Sequence, residues 1–307
     1  MYQGGKLIGI AVALVLVAGP LLLGLRGLIR ARRGPADAVP GPAIPWSWKL
    51  TINSSLLYAF AFNLTFFIQE LFLVLPKALT PGLRPTLFHN NHSWEGENPL
   101  ASLFQGTGAL AIFLTGVGCA LFLRRGPGRS STVRLFFIWM TYCGFFQSLP
   151  QVVIGAVSPR SDVGMAMDFL GLSAPVKTVA ALVALAAMPP AALWLRRPLL
   201  SLAEDPICIA SAQARARFVF YVATLPALTA ILLIIPFRVP REWVEVVMLP
   251  VVVTVIGIAW IQAGAWRVSP VTPDGGSVSG SIAYPLGALL VLLLVFQLLL
   301  RPGVRFY

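Results

Sequence analysis

Charge is what this chain has least of. Only 11% of its 307 residues are Asp, Glu, Lys or Arg, where a soluble domain carries roughly a quarter. That scarcity excludes an ordinary water-soluble globule. Acids are the rarer sign, 11 Asp and Glu against 23 Lys and Arg, for a formal net charge of +12. Cysteine is nearly absent: Cys119, Cys143 and Cys208 lie in or beside apolar segments with no pair spacing. They read as small reduced hydrophobes, which excludes a disulfide framework and a thiolate metal site. There is no Gly-rich phosphate loop, no serine nucleophile elbow and no Cys-x-x-Cys.

What is present is apolar surface. Hydrophobic residues make up 57% of the chain, and the mean hydropathy is +0.82. A spanning helix needs about 20 mostly apolar residues. Eight segments qualify: Leu7–Leu25, Leu50–Pro76, Ala101–Leu123, Leu135–Val157, Thr178–Leu195, Phe218–Phe237, Val244–Trp266 and Ile282–Leu300. The expected fold is therefore all-α, a polytopic membrane bundle of about eight transmembrane helices. The first segment follows Lys6 but has no small-x-small cleavage site before Arg26, Arg30, Arg32 and Arg33, so it reads as an anchor over 1–33. A Pro-rich linker over 34–49 then leads into the bundle, 50–307. Within the bundle, Leu199–Arg217 suggests a short surface helix, and Val268–Ser281 a flexible Gly/Ser/Pro-rich connection.

The basic residues sit at the ends of these segments, where they set orientation and meet lipid headgroups, so the net charge does not point to nucleic acid. Alternate connections carry 14 and 9 Lys and Arg. The richer side should be cytoplasmic, as in a bacterial inner (plasma) membrane, which leaves both termini and the loops 77–100 and 158–177 facing outward. Lipids are the expected partners, together with other membrane subunits if the chain belongs to a larger complex.

Polar groups converge on that outer side. The only two histidines, His89 and His92, lie three apart in Phe88-His89-Asn90-Asn91-His92-Ser93-Trp94-Glu95-Gly96-Glu97. Imidazole titrates near neutrality and is the commonest metal ligand. If Thr86–Trp94 is helical, both rings share a face. In the second segment Asn63 and Glu70 are seven apart and also share a face. Glu70 lies six residues before Pro76, roughly 9 Å along the axis at 1.5 Å per residue. An acid at that depth is by default a functional-site candidate. Glu95, Glu97, Gln147, Gln151, Asp162 and Asp168 are expected near the same surface.

Zinc takes three protein ligands and a water in catalytic sites. His89, His92 and Glu70 would meet that count for one divalent metal, with zinc favoured. A carboxylate would serve as general base, which makes Glu70 and Asp168 the catalytic candidates of a metal-dependent hydrolase. No His-Glu-x-x-His occurs, which departs from the intramembrane metalloprotease pattern. Asn91-His92-Ser93 fits the glycosylation acceptor pattern, a short match that arises often by chance. Haem is disfavoured, because both histidines sit in one loop and not on facing helices. Two other readings stand beside the hydrolase: a non-catalytic subunit or assembly factor, and a proton-coupled transporter using Glu70. The absence of an internal repeat counts against the transporter.

Overall fold

The computed structural model describes residues 3–32, 46–125, 130–267 and 280–307. Most of the Pro-rich linker and of the Gly/Ser/Pro-rich connection, with Asp37 and Asp274, lies outside the described residues. All eight apolar segments are helices. In chain order they are α1 (Gly4–Arg30), α2 (Trp48–Ala78), α3 (Leu100–Arg124), α4 (Ser131–Val157), α6 (Ala174–Leu200), α7 (Ala212–Arg238), α8 (Glu245–Arg267) and α9 (Ala283–Leu300), with the short α5 (Asp162–Phe169) after α4. Seven of the long helices are apolar enough to cross a membrane by length and composition; α4, 27 residues long, is the one outside that set. Gln147 and Gln151 within its apolar stretch do most to lower its hydropathy. The chain is an integral membrane helical bundle. Its outside is apolar, with Leu14, Leu21, Leu121, Val183, Leu232, Leu294 and Leu298 all exposed.

Two sequence expectations change. Thr86–Trp94 is not helical: β1 (Arg84–Leu87) and β2 (His92–Glu95) form an antiparallel hairpin, with Leu87 opposite His92. β3 (Val304–Arg305), just past α9, adds to the other edge of β1. β-Branched Thr86 and aromatic Trp94 suit a strand, and Gly82 and Gly96 frame the hairpin with φ of 85° and 99°. A side chain at Gly96 would strike the Gly82 carbonyl. The second change is at Leu199–Arg217, where the short helix is a single 3-10 turn, Pro206–Ile209, and the basic, alanine-rich stretch from Ala212 is already the first part of α7.

α2 is the central helix, packed against α3, α4, α7 and α9. Pro76 cannot donate to the Phe72 carbonyl. Thr107 Oγ1 of α3 donates to that carbonyl instead, at 2.6 Å, which is how a membrane helix tolerates an internal proline. α3 and α4 approach closely where Gly116 faces Gly144: a Cβ on Gly144 would lie 2.6 Å from the Gly116 Cα. Small residues permit this backbone contact. The N-terminal helix packs on α8, where Trp260 Nε1 donates to Val15 O at 2.9 Å and Trp266 Nε1 to Leu23 O at 3.2 Å.

Gly118 has open space where Gly144 has none, which gives a matched pair of tests. Gly144→Leu should cost about 1–3 kcal/mol or more by overpacking, read as a lower thermal midpoint in detergent. Gly118→Leu should leave the midpoint unchanged. Equal effects would contradict the close crossing of α3 and α4.

Candidate functional site

Glu70 and Lys77 are seven residues apart on α2, so they share one helix face near its end. Both are buried, Lys77 completely. The hairpin folds over them and inserts His92. The His92 Nδ1 lies 2.9 Å from Glu70 Oε2, and its Nε2 lies 3.0 Å from Gln105 Oε1, at the bend in α3. Lys77 Nζ donates to the same Gln105 oxygen at 3.3 Å and to Leu73 O at 2.8 Å. The ammonium also stands 4.7 Å from the centre of the Trp94 ring, which stacks on His92. Aromatic faces attract cations.

Donor and acceptor rules fix the polarity of this chain of contacts. An ammonium can only donate, so Lys77 holds Gln105 with its oxygen turned inward. His92 Nε2 then faces an oxygen and can only donate to it, while Nδ1 faces a carboxylate. One proton is then shared between Nδ1 and Oε2, carried either by the ring against a carboxylate or by the carboxyl group against a neutral ring. Such a pair is strongly bound once formed, and removing one partner strands a buried charge.

Two more ionisable groups act on the pair. Asp162, at the start of α5, is half-buried. Burial pushes its carboxyl up from the usual value and the negative charge of Glu70 adds to this, while His92 and Lys77 pull it down. Ser161 caps α5, its hydroxyl accepting from Gly164 N, and this turn carries Asp162 toward the cluster. Arg238, at the end of α7, is buried with its guanidinium 4.6 Å from the centre of the Phe66 ring, and it feels the charge of Glu70.

Below the cluster, polar contacts continue along α2. Gln151 Nε2 donates to Gln69 Oε1 at 2.7 Å and to Gln147 O at 2.8 Å, and Gln147 Nε2 donates to Phe62 O at 3.1 Å. Asn63 Nδ2 turns back onto Ala59 O at 2.8 Å. Further on, Tyr58 meets Thr254 at 2.7 Å, and the Trp139 indole donates to Ser54 Oγ at 3.0 Å. The buried face of α2 is therefore polar at intervals along much of its length.

Of the residues singled out from the sequence, Glu70 and His92 meet, and Asp162 is close enough to act on both. His89 does not join them. Its Nε2 sits 3.1 Å from Val239 O, after α7. Asp168 is exposed and ion-paired with Lys177. Glu95 and Glu97 face outward. Among the described residues, no three His, Cys, Asp or Glu side chains come together to hold a metal ion. The hairpin is the reason: two residues three apart share a helix face, but here they leave the turn in different directions. Lys77, Gln105, Trp94 and Arg238 were not anticipated as site residues. The spacing of Lys77 from Glu70 was the available signal, hidden because a lysine at a helix end also reads as an interfacial anchor.

Compared with family models, curated proteins and solved structures, the chain matches none. Its chemistry has to be read from its own side chains.

The raised Asp162 carboxyl has a definite pH sign. A carboxyl whose folded value is raised contributes stability that is full below the ordinary carboxylate range and is lost as pH rises through the raised value. Asp162→Asn does not titrate, so its thermal midpoint should exceed that of the wild type at neutral pH, and the gap should close on acidification. A gap that is constant with pH would contradict the assignment.

Proposed function

We propose that this protein is a proton-coupled membrane transporter in which Glu70 and His92 form the proton-binding pair and the hairpin is the outer gate. One observation carries the reading: a buried carboxylate–histidine pair closed under a hairpin, at the end of a helix whose buried face stays polar below it. Ionisable groups at such depth mark proton relays and substrate paths more often than they serve as packing.

The side chains supply a coupling step. When His92 gives up the proton on Nε2, that nitrogen becomes an acceptor facing the Gln105 oxygen. Gln105 must then turn its amide NH2 toward the ring, which removes the oxygen that Lys77 holds. Loss of one proton thus breaks the Lys77–Gln105 contact between α2 and α3 and leaves the Glu70–His92 pair with a net negative charge, which loosens the hairpin. Protonation restores the closed arrangement. The gate would face outward in a bacterial plasma membrane, a placement supported by the excess of Lys and Arg at the opposite helix ends.

The hydrolase reading has less support. It would need His89 released from Val239 and Asp168 from Lys177 before either could join His92 and Glu70 at one divalent metal.

Two measurements test the proposal. In vesicles holding a pH-sensitive dye and reconstituted with the protein, an imposed potential should drive proton entry above the protein-free rate. Glu70→Gln should remove at least about nine-tenths of that excess, as expected when the titrating group of a relay is lost. Equal rates for wild type and variant, or no excess in the wild type, would overturn the reading. Ser93→Cys, on the exposed part of the hairpin, should react in intact cells with a maleimide that cannot cross the membrane. Labelling only after lysis would reverse the assigned orientation.

A further inference from the structure

Beside the proton-binding pair lies a second cluster, which shares only Arg238 with it. Three arginines meet there. Arg238 ends α7, Arg241 follows three residues later, and Arg301 follows α9. The other face of the hairpin closes the cluster. His89 Nε2 lies 3.1 Å from Val239 O, and Arg241 Nη2 donates to Asn90 O at 3.3 Å. Gln297 of α9 donates to the same Val239 carbonyl at 3.1 Å, and Arg301 Nη1 approaches Gln297 Oε1 at 3.5 Å. His89 registers all three guanidinium groups: burial pushes its pKa down, and Arg241, Arg301 and Arg238 push it further.

Three buried polar side chains in this cluster have nitrogen atoms with no partner. These are Arg238 Nη1, Asn90 Nδ2 and His89 Nδ1, on residues that are 3%, 6% and 7% exposed. His89 Nε2 faces a carbonyl and carries the ring proton, so Nδ1 is an acceptor; the unpaired donors are Arg238 Nη1 and Asn90 Nδ2. A buried donor left unpaired costs about 1–3 kcal/mol, so both call for an acceptor. The local acids do not supply it. Glu245 is 3.6 Å from Arg241 Nε on the outer side, and Arg238 Nε donates to the Glu245 backbone oxygen, not to its carboxylate.

We infer that Asn90, Arg238, Arg241 and Arg301 form an anion site that binds a phosphate group at the outer mouth of the bundle. Guanidinium forks match phosphate oxygens in geometry as well as charge. The site also lies where the ends of α7 and α9 meet the headgroup layer, so the phosphate belongs either to a phospholipid headgroup or to free phosphate. Nothing in this inference depends on proton coupling by Glu70.

The test uses the full-length protein in a non-ionic detergent and reads the thermal midpoint during two titrations. One ligand is inorganic phosphate and the other is dihexanoyl phosphatidylglycerol. A rise with phosphate itself identifies a free-phosphate site; a rise with the short-chain lipid alone identifies a headgroup site. Arg301→Gln, at the exposed rim, should fold normally and weaken the effective ligand about tenfold or more, the scale of one charge-assisted contact. Arg160→Gln, exposed and away from the cluster, should bind as the wild type does. Asn90→Ala provides a second variant that keeps every charge and should also weaken binding. No rise with either ligand would overturn the site. So would equal weakening by Arg160→Gln, or wild-type binding by both Arg301→Gln and Asn90→Ala.

Discussion

The contact on which the hairpin end of this molecule depends is the pair between Glu70 and His92, 2.9 Å apart and shielded from water. A lone carboxylate at that depth would be very costly, and a lone imidazolium no less so. Together they fix the hairpin over α2. Gln105 extends the hold to α3, and Lys77 closes the circuit by returning to α2. The hairpin then offers its second face to the end of α7, and β3 adds to its edge. Three connections far apart in sequence are thereby joined at one end of the bundle.

α2 explains why that end is coupled to the rest. In a membrane there is no hydrophobic gain from bringing helices together, so hydrogen bonds and close packing carry the association. α2 supplies both. Ser54, Tyr58 and Gln69 reach side chains on α4 and α8, and Gly108 lets α3 approach from the other side. A change in the protonation of the Glu70–His92 pair is felt first by Gln105 and Lys77, which bridge to the neighbouring helix. The same helix therefore holds the bundle together and carries its most reactive groups.

Much of the fold was legible in the sequence, because helices in lipid must be long, apolar and internally hydrogen-bonded. All eight segments are helices, and topology alone put Glu70, His92 and Asp162 on one side, but it put His89 and Asp168 there as well, and these do not join them. The hairpin was not legible. His-x-x-His spacing places two rings together only on a helix, and Gly82, Pro85 and Gly96 signal a turn without naming its partner strand. Lys77 was hidden for a related reason: charge at a helix end looks like an anchor until a folded loop covers it. The anion cluster could not be seen at all, since Asn90, Arg241 and Arg301 come from three separate connections.

The central claim is that Glu70 and His92 are energetically one unit. A double-mutant cycle on unfolding in detergent, using Glu70→Gln, His92→Gln and both together, tests it most directly. The account predicts that each single change is strongly destabilising while the double change costs much less than their sum, a coupling of about 1–3 kcal/mol. Additive effects, with coupling below about 0.5 kcal/mol, would mean that the two side chains are neighbours without being partners.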